Sequence, residues 1–230
     1  MLIPLKSVRS PEEQKTFSPP IMTTVLIIVN VVVFIFELHH GIGRISAIYG
    51  AIPYELTHFK DIPPPSKYPV QFSLIASLFL HGGFLHIIGN MLYLNAFGPN
   101  IENKMGHFKY LLFYLLCGVG ATLFYILFNI SSRIPMIGAS GAIAGVMGAH
   151  LVSSPGSKIK CLLLIFVISL PAIVVIIPWI LIQIDLVYQG TRSNVAFVAH
   201  IGGFVIGMLL SKKFARKKED NWYINYRDYL

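Results

Sequence analysis

Long apolar runs almost free of charge recur along this chain of 230 residues and constrain its fold more than any other feature. A helix needs about 20 apolar residues to cross the hydrocarbon core of a bilayer. Several runs reach that length, among them 21–38, 108–128 and 161–188. Charged residues make up 12% of the chain, against roughly 25% in a soluble domain. With 55% hydrophobic residues and a mean hydropathy of +0.68, the chain reads as an all-α polytopic membrane protein. Its formal charge of +8 then belongs to topology and to contact with the lipid bilayer rather than to nucleic acid. Cys117 and Cys161 lie in apolar segments without metal-ligand spacing, so neither a disulfide framework nor a metal site is expected.

Taken in order, residues 1–20 form a mixed polar N-terminal segment. The first apolar run follows a long polar lead and lacks a small-residue cleavage site, which argues against a signal peptide. The first span, 21–38, is broken by Asn30 and ends at Glu37, His39 and His40. A long first loop, 39–72, carries Arg44, Asp61 and Lys67 but is too apolar for a free linker. Its segment 48–52 reads as lying on the membrane surface. The second span falls within 73–97, followed by a short polar turn at 98–107 holding Glu102, Lys104 and His107. The third and fourth spans occupy 108–128 and 138–152. The run 161–188, interrupted by Pro171 and Pro178, is too long for one crossing. It reads as a surface-lying or re-entrant lead-in before a fifth span at 171–188. A sixth span at 195–210 completes a six-helix unit over 21–211, and 212–230 is a basic tail. Counted on alternate sides, 13 of the 18 Lys and Arg residues fall with the two termini, which places both termini in the cytoplasm.

That topology starts the second, fourth and sixth spans on the extracytoplasmic side, where each carries polar residues. The fourth opens on Gly138-Ala139-Ser140-Gly141, with Ser140 at a helix N-terminus where free N–H groups and the dipole favour negative charge. Alone, this is also what a helix cap beside packing glycines looks like. His86 and Asn90 share a face of the second span, and His200 lies a turn into the sixth. Polar side chains at membrane depth face the bundle interior or a water-filled cavity. Gly203 and Gly207 lie on the face of His200, opposite a thin face built from Gly141, Gly145 and their neighbours. Small residues at such spacing let two helices approach closely enough for Ser140 and His200 to bond. A histidine base would activate the serine, and His86, Asn90 and the Ser140 N–H could serve a developing oxyanion.

In His81-Gly-Gly-Phe-Leu-His86-Ile-Ile-Gly-Asn90, Gly138-Ala-Ser140-Gly141 and Ala199-His200-Ile-Gly-Gly203-Phe-Val-Ile-Gly207, the chain resembles the rhomboid intramembrane serine proteases over nearly its whole length. The resemblance implies a six-span bundle acting without cofactor or metal, with Ser140 as nucleophile and His200 as general base in a dyad. It further implies an oxyanion site of His86, Asn90 and the Ser140 amide. His81 would lie near the water-accessible cavity, and Glu102 would be a structural acid after the second span. The implied substrates are transmembrane proteins cut near the extracytoplasmic face, with the first loop and fifth span governing entry. Two departures stand out. Phe72 and Ser73 occupy a place where the family often has Trp-Arg. Ala144 stands where some members pack an aromatic ring on the base, so the orientation of His200 must rest on other contacts.

Other residues read more plainly. His150 is expected at the interface, Asp185 as a solvated acid near the outer end of the fifth span, and Asn30 as an interhelical hydrogen bond. Trp179 carries no site signal. Lys212, Lys213, Arg216, Lys217 and Lys218 read as anionic-lipid anchors, and Trp222 as an interfacial one. Rival readings are a catalytically silent relative that binds membrane clients, and a small-solute transporter, against which the absence of an internal repeat speaks. The simplest location is a prokaryotic plasma membrane. Natural substrate and oligomeric state are not legible.

Overall fold

In a computed structural model of the chain, residues 2–8, 18–60, 62–65, 68–190 and 196–215 are described. Helices dominate: α1 (Ile21–His40), α2 (Ile42–Tyr49), α3 (Pro53–His58), α4 (Ser73–Ala76), α5 (Phe84–Met105), α6 (His107–Phe128), α7 (Ser140–Ser153), α8 (Ala172–Tyr188) and α9 (Phe197–Phe214). Helices α1, α6 and α9 are each long and apolar enough to cross a membrane. The short turns at residues 70–79 form, with α5, a fourth candidate bent by 78°. Helices α7 and α8 are apolar but shorter, at 14 and 17 residues. The chain is an integral membrane protein built as a helical bundle.

Each outer helix divides between lipid and core by its spacing. On α1 the buried residues are Thr23, Leu26, Asn30, Phe34 and Glu37, a stripe at intervals of three or four. Ile21, Val25, Ile28, Val32 and Ile35 face outward from the same helix. Helix α7 has no outer face, because every residue from Gly141 to His150 is buried. It is the axis of the bundle, enclosed by α5, α6 and α9.

Five structural expectations need correction. Residues 98–105 are not a turn. Helix α5 runs on through Pro99 to Met105 and stops only at Gly106 (φ +81), after which α6 begins at once. Glu102 is therefore in the last turn of a helix and 1% exposed. Its carboxylate accepts from Met22 N (2.7 Å), Thr23 N (2.8 Å) and Thr23 Oγ1 (2.6 Å), and pairs with His107 Nδ1 at 2.5 Å. It thus caps the N-terminus of α1, which has no cap of its own. Replacing Glu102 with alanine should destabilise the bundle by about 2–3 kcal/mol, since three donors lose a charged acceptor. A thermal or denaturant melt within about 0.5 kcal/mol of wild type would contradict the capping role.

The second correction is a small antiparallel sheet, in the order β1 (Leu2–Ser7), β2 (Lys158–Leu163) and β3 (Phe166–Pro171). The apolar lead-in to the fifth span is this β2–β3 hairpin. Ile159 and Cys161 alternate inward and are fully buried, while Leu164 (φ +55) and Ile165 form an exposed apolar tip. Asn95 Nδ2 ties β1 to α5 by donating to Leu5 O at 3.0 Å. Third, segment 48–52 packs on the chain itself: Ala51 and Met136 exchange both backbone hydrogen bonds, and Ala51 is 1% exposed. Fourth, His150 is buried rather than interfacial, bonding Ser157 Oγ at 2.7 Å. Fifth, Asn30 is buried, but the hydrogen bond it donates goes to Leu26 O one turn back, within its own helix rather than between helices.

Arg9 and Lys15, Asp61 and Lys67, residues 191–195 with the start of the sixth span, and the tail from Arg216 onward, including Lys217, Lys218 and Trp222, lie outside the described residues.

Candidate active site

The polypeptide enters α7 through a backbone path that only glycine suits. Met136 is held in its bridge to Ala51, Gly138 turns at φ +122, and its N–H donates to Ser77 O at 2.8 Å. Helix α7 then begins at Ser140, with Ala139 as its N-cap. The N–H groups of the first turn have no partner within the helix, and the positive end of the dipole gathers there. Ser140 is half-buried.

Helix α9 lies against α7 at backbone contact. A Cβ placed on Gly203 would stand 2.1 Å from Gly141 O, and one on Gly207 would stand 2.0 Å from Gly145 O. Gly148 meets Phe204 O in the same way, at 2.2 Å. The small faces foreseen on the two helices therefore interlock. This proximity lets Ser140 Oγ and His200 Nε2 meet at 2.8 Å across two elements 60 residues apart in sequence.

The other ring nitrogen of His200 is also held. His200 Nδ1 lies 2.8 Å from Gln183 Oε1 on α8. The amide of Gln183 is oriented in turn by its Nε2, which donates to Trp179 O at 3.3 Å. An amide oxygen only accepts, so Nδ1 carries the proton and Nε2 is free to accept from the serine hydroxyl. The Trp179 indole lies 5.7 Å from the imidazole, tilted by 34°. These two residues of α8 supply the orientation that Ala144, buried on α7, does not.

On α5, His86 Nδ1 accepts the Gly82 N–H at 3.2 Å, which puts the neutral ring's proton on Nε2. That nitrogen faces the turn before the serine, 2.8 Å from where a Cβ on Gly138 would lie. Asn90, one turn further along α5, is buried, and its Nδ2 has no hydrogen-bond partner. An orphaned donor is uncommon in a packed interior. Here it belongs to the cluster that begins with His86.

His81 stands behind this layer. It is fully buried, its N–H donates to Glu37 Oε2 at 2.9 Å, and its ring centroid lies 5.1 Å from that of His86. Glu102 is twelve residues beyond Asn90 on α5, about 18 Å along the axis, and takes no part in the site. Asp185 is exposed and accepts from Gln189 Nε2 at 2.6 Å, so the residue reaching His200 from α8 is Gln183.

Three residues of this region escaped the sequence reading. Gln183 is a polar residue inside an apolar helix, a signal present in the sequence. Trp179 lies one turn before it on the same face. Glu37 reads in the sequence as the end of the first span, yet its spacing from Asn30 and Phe34 puts it on the buried stripe.

Compared with known proteins, the family model described as Rhomboid domain matches residues 70–217, most of the chain and the four helices that carry His86, Ser140, Gln183 and His200. The chain belongs to the rhomboid family. It is 31% identical over 140 residues to RHOMBOID-like protein 5 of Arabidopsis thaliana, which covers 61% of this chain and 43% of that protein. RHOMBOID-like protein 4 of the same plant is 33% identical over 171 residues, covering 73% and 40% respectively. Rhomboid protease AarA of Providencia stuartii is 28% identical over 223 residues, covering 83% of this rhomboid and 71% of AarA. The match thus spans less than half the length of these plant relatives.

Proposed function

We propose that this rhomboid is an intramembrane serine endopeptidase that cleaves transmembrane proteins near the extracytoplasmic face of the bilayer. The observation that carries the proposal is the 2.8 Å bond between Ser140 Oγ and His200 Nε2, with the far side of the imidazole already committed to an acceptor. A serine hydroxyl becomes a nucleophile when a neutral base takes its proton. His200 accepts that proton through Nε2 as Oγ attacks the scissile carbonyl. The resulting imidazolium returns it to the departing amine. Water, activated by the same nitrogen, then releases the acyl group from Ser140. The Ser140 N–H, His86 Nε2–H and Asn90 Nδ2 are the donors for the oxyanion in both halves of the reaction.

In this reading the catalytic unit comprises 21–211 as six spans, with both termini in the cytoplasm and a prokaryotic plasma membrane as the setting. His81, Gly138, Gly141, Gly145, Gly203 and Gly207 support the site, and 1–20 and 212–230 flank it. Helix α7, at 14 residues, rises about 21 Å, short of a hydrocarbon core of about 30 Å. Anchored at the cytoplasmic interface, it carries Ser140 below the opposite surface, level with a substrate helix that has begun to unwind.

The test is cleavage in proteoliposomes of a single-span substrate with small residues at the cut and helix-destabilising residues beyond it. Wild type should cut it and Ser140→Ala should not. Stable substrate capture without a cut by either protein would favour a client-binding rhomboid instead. Asn90→Ala should lower kcat by about 10²–10³-fold with KM little changed, the cost of one oxyanion donor. Turnover within threefold of wild type would leave the oxyanion to His86 and the backbone.

A further inference from the structure

We infer that Gln183 is a positioning residue that fixes the tautomer and orientation of His200, giving this rhomboid a hydrogen-bonded chain Ser140–His200–Gln183. The inference rests on the protease reading above. It goes beyond that reading in assigning a third member, contributed by α8.

The geometry leaves Gln183 little freedom. The residue is 7% exposed, and both ends of its amide are engaged, Nε2 on Trp179 O and Oε1 on His200 Nδ1. Turning the amide over would break the bond to Trp179 and set Oε1 against that carbonyl oxygen, two acceptors face to face. The imidazole is thus held on Nδ1 by a hydrogen bond and on one face by the Trp179 indole. What remains is Nε2, aimed at Ser140. An acceptor on Nδ1 selects the Nδ1–H tautomer, and that tautomer alone offers Nε2 a lone pair for the serine proton.

A carboxylate would select the same tautomer, but a buried charge in an apolar bundle carries a desolvation penalty of several kcal/mol. A neutral amide performs the selection without that penalty. Nearby carboxylates do not duplicate it. Asp185 is exposed and paired with Gln189, and Glu37 faces the His81 backbone on the other side of His86. Among the described residues, the other ionisable group close to His200 is His86 on α5; Tyr93, also on α5, has its ring 6.4 Å from that of Trp179. Since α8 supplies both contacts, the base is set only while α8 is seated against α9.

Two substitutions and one spectroscopic reading test this. Gln183→Met keeps the length and volume while removing the acceptor, and should lower kcat about 10- to 100-fold with KM nearly unchanged, the effect of orphaning a buried ring N–H. Gln183→Glu restores an acceptor and should recover most of the lost kcat. Its charge also favours the imidazolium, so the acid limb of the kcat/KM profile should move to higher pH than in wild type. In ¹⁵N-histidine spectra, His200, assigned by loss of its signals in His200→Gln, should be protonated on Nδ1 in wild type and lose that preference in Gln183→Met. Protonation on Nε2 in wild type would overturn the inference whether or not the protein turns over, and also if either variant fails to fold. An active wild type with an unchanged rate and pH profile in Gln183→Met would overturn it equally. A wild type that shows the Nδ1–H tautomer yet neither cleaves nor reacts with serine probes would reject the protease reading while leaving the positioning role in place.

Discussion

His200→Ala should lose at least about 10⁴-fold in kcat, with KM for a transmembrane substrate little altered. In serine proteases, removing the base costs on the order of 10⁶, about as much as removing the nucleophile, because the two act as a unit. No described neighbour can take over. His86 Nδ1 already accepts from Gly82, and its other nitrogen is a donor. His81 is engaged with Glu37 through its backbone, while its ring is buried behind His86. Gln183 cannot accept a proton at neutral pH. The measurement is a progress curve in proteoliposomes, with a thermal melt to show that the variant is folded. A folded variant retaining a tenth of wild-type kcat would mean that another group deprotonates Ser140.

Gly207→Val should be nearly as damaging, although residue 207 lies two turns from the chemistry. The first added carbon would stand 2.0 Å from Gly145 O, where ordinary contact begins near 3.4 Å. Both atoms belong to packed helices, so α9 must retreat from α7 by more than about 1 Å. Overpacking of a filled interior typically costs 1–3 kcal/mol. The same retreat lengthens the 2.8 Å bond between Ser140 and His200, and a misplacement of about 1 Å can cost on the order of 10² in rate. The expected result is a lower melting temperature together with a loss of kcat of about 10²-fold or more. Gly43→Ala, in α2 with open space around it, is the control and should change neither. Normal turnover by Gly207→Val would show that the interlocked glycines do not set the catalytic distance.

Much of this arrangement was legible because bilayers restrict the vocabulary. Apolar runs located α1, α6, α8 and α9 to within a few residues, and polar side chains inside them such as Asn30 and His200 point inward. The pairing of Ser140 with His200 followed from glycines on both helices, since facing small residues mean close approach. Other features carried no periodic signal. The β2–β3 hairpin is a continuous apolar run that turns at Leu164 and Ile165, without the glycine or asparagine that marks a hairpin. Helix α5 extends past Pro99 into polar sequence because Glu102 is consumed by the end of α1, a partner some 80 residues away. Gln183 was passed over beside Asp185, the more conspicuous residue by charge. Two positions decide which of them faces His200, and that depends on the rotation of α8 about its axis, which follows from packing rather than from the local sequence.

The central claim is that Ser140 is an activated nucleophile, and a fluorophosphonate serine probe tests it most directly, in protein embedded in bilayers. Wild type should label, while Ser140→Ala and His200→Ala, both folded, should not. Absence of labelling in folded wild type, or equal labelling of Ser140→Ala, would contradict the account.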